Sequence, residues 1–196
     1  MQKATAFLLV FTALVSLLEV PYPGTAEALA MNPVSFAETP WILITAMIVH
    51  LDLAHLLQNM VALAIFGTFL ESVIGPGRLF SVYFLSGVTG NLAALIFYPQ
   101  SMSLGASGAI MGMVGALTIL RPKAAIWFGT PLPVIFLSAI FIITDTAGLF
   151  VPSGIGNAAH LAGFFAGTAL GHRWKRKFSL KNEVRARVRK SLKSHR

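Results

Sequence analysis

Cysteine is absent from the 196 residues of this chain, and charged residues are scarce. The lack of cysteine excludes a disulfide framework, a thiolate nucleophile and a Cys-ligated metal. Charged residues make up 11% of the chain and apolar residues 56%, with a mean hydropathy of +0.75. Because this composition is too hydrophobic for a soluble domain of this length, we expect one membrane-embedded domain.

Basic residues are missing from every second connection between the apolar stretches. All 15 Lys and Arg residues lie at Lys3, Arg78, Arg121, Lys123 or from Arg173 onward. Positive charge collects on the cytoplasmic side of membrane proteins, so this asymmetry predicts that both termini are cytoplasmic. We expect a multi-pass protein of a prokaryotic plasma membrane, since no organelle-targeting extension is evident.

Six apolar stretches are bounded by charge, Gly or Pro. They cover residues 4–20, 51–71, 79–98, 107–120, 124–148 and 156–172. The sequence therefore predicts an all-α polytopic membrane protein, with a six-helix membrane domain over residues 1–172 and a basic cytoplasmic tail over 173–196. The first stretch, followed by Ala28-Leu29-Ala30, also imitates a cleavable secretory signal, whose removal would leave five helices in unchanged orientation.

The predicted tail carries eleven of the 15 basic residues. A basic stretch next to a membrane helix determines topology and also contacts anionic lipid. An apolar face on a helical tail would favour such contact, and its members are Phe178, Leu180, Val184, Val188 and Leu192. We therefore predict membrane lipids as partners of the tail, and no nucleic acid.

Polar side chains occur at one common depth in three of the predicted helices. Counted from the inner end of each helix at 1.5 Å per residue, Ser107 lies at about 21 Å, His160 at about 20 Å, His55 at about 24 Å and Asn59 at about 18 Å. Strongly polar groups at such a depth are candidates for function.

The segment Gly105-Ala106-Ser107-Gly108 places a hydroxyl where a loop enters the fourth helix. This helix is short, so the loop before it must descend into the membrane, where irregular backbone is tolerated only if it packs in protein or lines a water-filled cavity. We therefore expect water near Ser107. Glycines permit a sharp turn, and free N–H groups at a helix start can face an oxyanion. By itself the pattern is more typical of helix packing or capping.

His160 begins a stripe of small residues that continues through Gly163, Gly167 and Gly171, and the fourth helix has a matching stripe at Gly108, Gly112 and Gly115. If the stripes pack together, His160 can take the Ser107 proton and form a Ser-His dyad for acyl transfer. Asp145 lies near the outer end of the fifth helix. A carboxylate that orients the His160 imidazole is one possible role, but nothing in the sequence ties Asp145 to His160, so we expect an interfacial or loop-packing role.

His55 and Asn59 lie one turn apart on one helix face. Together with the Ser107 amide they offer hydrogen-bond donors for a tetrahedral intermediate, although polar contact between helices is an alternative role. His50 is expected to brace the preceding loop. A metal site formed by the three histidines lacks a His-Glu-x-x-His motif or a nearby carboxylate, so we predict no metal and no cofactor.

Together these motifs resemble the rhomboid family of intramembrane serine proteases over residues 40–171. The resemblance rests on four motifs in order, which are His50-x4-His55-x3-Asn59, Glu71-x3-Gly75-x2-Arg78, Gly105-x-Ser107-Gly108 and Ala159-His160-x2-Gly163-x3-Gly167. Two positions depart from the common pattern. Ile42 follows Trp41 where many members have Arg, and Met111 stands where many have an aromatic residue.

The resemblance implies a six-helix rhomboid fold with Ser107 as nucleophile and His160 as general base. It implies an oxyanion site from His55, Asn59 and the Ser107 amide, supported by Gly105 and Gly108. The implied substrates are single-span membrane proteins, cut in or near the bilayer where small or helix-breaking residues allow unwinding. The outer segment 149–157 is expected to be a mobile gate.

Two alternatives use the same sequence features. A catalytically inactive rhomboid-like protein would bind or dislocate transmembrane helices without cutting them, although such relatives usually lack the serine or the histidine. A small-solute transporter would also require a polar cavity within the membrane.

Overall fold

The fold is a bundle of α-helices in a computed structural model that describes residues 2–19, 22, 24–127, 129–151 and 156–194, with the backbone alone at Glu19 and over 177–194. In chain order the elements are α1 (Lys3–Glu19), α2 (Thr25–Leu29), α3 (Ile42–Thr45), α4 (Leu53–Ala62), α5 (Thr68–Ile74), α6 (Pro76–Phe97), α7 (Ser107–Leu120), β1 (Ala125–Trp127), β2 (Pro131–Pro133), α8 (Val134–Gly148) and α9 (Asn157–Ser194). The mostly helical architecture agrees with the predicted class.

The second predicted helix is continuous from α4 to α5 because a π-helical turn, Leu63–Gly67, joins them. Near its end, the buried Glu71 carboxylate accepts hydrogen bonds from the N–H groups of Ala4 and Thr5, at 3.1 and 2.8 Å, and from the Thr5 hydroxyl. Amides in the first turn of a helix have no acceptor within that helix. Glu71 therefore fixes the start of α1 against the end of α5.

The fifth predicted helix, 124–148, is wrong at its beginning. Strands β1 and β2 pair there as a short antiparallel hairpin, and α8 begins only at Val134. Pro131 and Pro133 lack the N–H that a helix interior needs, and Gly129 turns the chain at a φ of +78°. Hydropathy predicted a helix over the whole stretch because its residues are mostly apolar, but the prolines prevent a helix before Val134.

Helix α7 lies at the centre of the bundle, where every residue from Gly108 to Leu117 is buried. It packs against α9 through the two predicted stripes of small residues. A Cβ at Gly163 would overlap the Gly108 carbonyl oxygen, and a Cβ at Gly167 would overlap that of Gly112. The predicted packing of the two stripes is confirmed, and it sets the height of the α9 start relative to the α7 start.

At the other end of the bundle from Glu71, the segment between α1 and α4 ties down the loop that leads into α7. Met31 and Ser103 exchange backbone hydrogen bonds of 2.8 and 2.9 Å, and the Gly105 N–H donates to the Ala46 carbonyl at 2.8 Å. Ile42, one of the two departures from the family pattern, is buried in a small cluster with Met31 and Ala46. The loop before Ser107 is therefore held by backbone contacts.

Two of the described helical segments are long and apolar enough to cross a bilayer, judged by length and composition: Leu53–Ile74 and Pro76–Phe97, each of 22 residues. Helices α1, α7 and α8 are apolar but shorter. Helix α9 continues without a break through the predicted boundary between residues 172 and 173. Pro152 and Gly154 of the predicted gate lie outside the described residues.

Candidate active site

Ser107 and His160 meet at the starts of the two central helices. Ser107 is the first residue of α7, and His160 lies in the first turn of α9. The Ser107 Oγ is 2.8 Å from the His160 Nε2, a hydrogen-bonding distance. Because both side chains are only partly buried, a reacting group from outside the bundle has access to them.

The second ring nitrogen of His160 contacts Asp145, and here the expectation for Asp145 is wrong. Its Oδ1 lies 2.9 Å from the His160 Nδ1, and its side chain is 10% exposed. The residue lies in the last turn of α8, next to the start of α9. The sequence carried one signal for this contact. Asp145 and Gly148 are three residues apart, and so are Asn157 and His160. Equal spacing on two antiparallel helices allows these residues to meet in pairs.

Gly105 lies against the His55 ring. Its φ of +112° is one that L side chains rarely adopt, and a Cβ there would lie 2.8 Å from the His55 Cε1 and Nε2. His55 is held in the first turn of α4, where its backbone N–H donates to the Asp52 carboxylate at 2.7 Å. The structure thus brings His55 to the loop that precedes Ser107.

Asn59 is buried one turn after His55. Its Nδ2 donates to the His55 carbonyl oxygen at 2.9 Å, and its buried Oδ1 has no partner among the described residues. The amide group is therefore partly engaged within its own helix, and one Nδ2 hydrogen remains for another acceptor.

His50 braces the outer loop, as expected. Its Nδ1 lies 3.2 Å from both the Ser16 Oγ and the Ile48 carbonyl oxygen, and its ring contacts the His55 ring edge to face at 5.1 Å. Burial lowers the pKa of His50 to about 4, so the ring is neutral near pH 7. A neutral ring can pack against His55 without adding positive charge to the site.

The arrangement has the parts needed to activate a hydroxyl. A serine hydroxyl is a weak nucleophile until a base takes its proton, and imidazole is the usual base. In the part of the chain that the structure describes, no group of three or more His, Asp or Glu side chains is arranged to hold a metal ion.

Met111, the second departure from the family pattern, is buried in α7 near this end of the bundle.

Apolar helices packed around such a polar site define a class of membrane-embedded proteins, and the comparisons with known proteins identify the family. Residues 37–176 match the family described as Rhomboid domain. The chain therefore belongs to the rhomboid family, which is membrane-embedded, and the resemblance drawn from its motifs is confirmed.

Three relatives illustrate the match. The chain is 39% identical to "Rhomboid protease GluP" of Bacillus subtilis (strain 168), over 67% of this chain and 26% of that protein. It is 35% identical to "RHOMBOID-like protein 6, mitochondrial" of Arabidopsis thaliana, over 77% of this chain and 50% of the relative. The chain is 37% identical to "Rhomboid protein 1, mitochondrial" of Saccharomyces cerevisiae, over 62% of this chain and 38% of that protein. The matched region thus spans about a quarter to a half of these relatives.

Proposed function

We propose that this protein is an intramembrane serine endopeptidase that acts through a Ser-His dyad and an acyl-enzyme. The observation that carries the proposal is the 2.8 Å contact between the Ser107 Oγ and the His160 Nε2. Family membership supports it, since one relative is named a rhomboid protease.

In the proposed reaction the Ser107 Oγ attacks the carbonyl carbon of a peptide bond while its proton passes to the His160 Nε2. The tetrahedral intermediate then expels the amine, which takes the proton from His160, and leaves an ester on Ser107. A water molecule, deprotonated by His160, hydrolyses the ester and regenerates the hydroxyl. No metal or cofactor takes part in this scheme.

The proposed oxyanion site lies at the start of α7. The Ser107 N–H belongs to the first turn of that helix, and such amides have no acceptor within the helix. The His55 ring, in contact with Gly105, and the Asn59 amide are the proposed side-chain donors. Gly105 supports the site because it allows the close approach of the loop to the His55 ring. Gly108 is the second proposed supporting glycine, because Gly163 of α9 packs directly against its carbonyl oxygen next to Ser107.

The proposed substrates are single-span membrane proteins. A transmembrane helix hides its peptide bonds in its own hydrogen bonds, so the substrate must unwind locally before Ser107 can attack. We further propose six membrane spans with both termini in the cytoplasm of a prokaryotic cell, a membrane domain over residues 1–172, and a tail over 173–196 that contacts anionic lipid.

Labelling by a fluorophosphonate serine-hydrolase probe, read by intact mass on the purified protein, tests the proposal. We expect one adduct on wild type and none on Ser107→Ala or His160→Ala, because the probe needs a deprotonated serine. Ser101→Ala, which removes an exposed serine from the preceding loop, is the matched control and should label like wild type. A folded Ser107→Ala variant that still acquires the adduct would overturn the assignment.

The non-cutting alternative predicts a different result. A folded wild type that stays unlabelled in several detergents and in liposomes would favour a protein that binds transmembrane helices without cleaving them. Solute transport in liposomes that persists in Ser107→Ala would favour a transporter.

A further inference from the structure

Helices α8 and α9 run antiparallel and contact each other through two residue pairs at the outer end of the bundle. One pair is Asp145 and His160, joined by the 2.9 Å hydrogen bond. The other is Gly148 and Asn157, where a Cβ on the glycine would overlap the Asn157 side-chain amide. Each helix contributes residues spaced by three, so the pairs lie on adjacent turns. The close approach at Gly148 thus accompanies the hydrogen bond at Asp145.

The contact fixes the state of the His160 ring. An ionised carboxylate only accepts hydrogen bonds, so the Nδ1 that faces Asp145 carries the hydrogen. The Nε2 then presents its lone pair to the Ser107 hydroxyl, which is the tautomer that a general base requires. The alternative tautomer would direct a hydrogen at the Ser107 Oγ and leave Asp145, with its buried carboxylate, without this donor.

We propose that Asp145 is a positioning residue for His160, so that the site works as a Ser-His-Asp triad. This inference rests on the proposed function and adds a third group to the dyad. When the Ser107 proton reaches the Nε2, the ring becomes an imidazolium, and the Asp145 carboxylate stabilises that charge through the Nδ1–H while remaining ionised. The proton later leaves with the amine product, and Asp145 neither gains nor loses one.

The test compares labelling rates of Asp145→Asn with wild type. We expect the rate to fall roughly a hundredfold or more, because an amide can also donate to the Nδ1 and stabilise the wrong tautomer. Glu38→Gln is the matched control, since it removes a carboxylate from an exposed position in the outer segment and should leave the rate unchanged. Gly148→Ala keeps the carboxylate but pushes α8 from Asn157, and should lower the rate at least tenfold.

A spectroscopic readout separates positioning from a general loss of structure. In protein labelled with ¹⁵N-histidine, we expect a downfield Nδ1–H resonance that is absent in His160→Ala and lost or shifted in Asp145→Asn. Addition of formate to Asp145→Ala should restore part of the rate. A wild-type rate and an unchanged resonance in Asp145→Asn would overturn the inference.

Failure of the proposed function would look different. A folded wild type without any probe adduct would count against Ser107 as nucleophile, whereas the ¹⁵N spectrum would still report whether Asp145 holds His160. Loss of the resonance in Asp145→Asn would then support the contact, and its persistence would contradict it.

Discussion

Gly105, in the loop that enters α7, lies directly against the His55 ring. Two properties of this position exclude a side chain, namely its φ of +112° and the 2.8 Å that would separate a Cβ from the ring. The same residue donates its N–H to the Ala46 carbonyl, so the loop cannot move away without losing that bond. The glycine therefore sets the position of a proposed oxyanion donor relative to Ser107.

Gly105→Ala is expected to slow probe labelling by about tenfold or more, because misplacing one oxyanion donor has an effect of that order at least. Gly129→Ala is the matched control: that glycine also has a positive φ, +78°, but nothing lies within 4 Å of its Cβ position. Both variants carry backbone strain, and only the first also displaces a ring. Equal labelling rates for the two alanine variants would contradict this account of Gly105.

Helices α7 and α9 pack backbone to backbone, which fixes the height of Ser107 relative to His160. Gly163 and Gly167 allow this approach, and Gly171 continues it with its Cβ position 3.0 Å from the Ala116 carbonyl oxygen. In a membrane, where there is little hydrophobic drive between helices, such packing is a main source of helix association. A shift in the packing of α9 against α7 would therefore separate the Ser107 and His160 side chains, the two proposed catalytic groups.

Gly167→Ala is expected to lower the free energy of unfolding by about 1–3 kcal/mol, since the added methyl group overpacks a closed interface. Gly77→Ala, in α6, provides the comparison because nothing lies near its Cβ position and its φ is ordinary. That variant should be neutral or slightly stabilising, as alanine favours a helix. Reversible unfolding in detergent micelles measures both, and a neutral Gly167→Ala would show that α9 can shift without cost.

The whole bundle has two chemically different ends. Glu71 and the start of α1 lie at one end, whereas the Ser107, His160 and Asp145 side chains lie at the other. The basic residues of the connections belong to the first end, because Arg78 follows α5 and Arg121 follows α7. The proposed orientation places this end in the cytoplasm.

Single-cysteine variants test the orientation cleanly, because the chain has no cysteine of its own. Ser101→Cys, in the exposed loop before α7, is expected to react with a membrane-impermeant maleimide added outside intact cells or spheroplasts. Lys123→Cys, exposed at the opposite end, should react only after permeabilisation. Reaction of both cysteines from the same side would refute the proposed topology.

The amino-acid sequence by itself determined the family and the meeting of Ser107 with His160. The physical reason is that small residues repeated every three or four positions specify which helix faces can approach, and the depth of each polar residue follows from a fixed rise per residue. The extent of α7, Ser107–Leu120, was predictable because a glycine-containing loop precedes the apolar stretch and Arg121-Pro122 follows it. These features depend on periodicity within one helix or on one pair of matching faces.

Only the tertiary structure decided the partner of the His160 Nδ1, the hairpin before α8 and the π-helical turn after α4. The contact of Asp145 depends on the rotation and height of α8, which an almost uniformly apolar helix does not reveal. The prolines and Gly129 prevent a helix before Val134, but the pairing of β1 with β2 is a contact between two segments that apolar composition does not reveal. The π turn packs against α1 and α7. The local sequence determines which side chains a helix face carries, and the packing of neighbouring helices determines which groups those side chains contact.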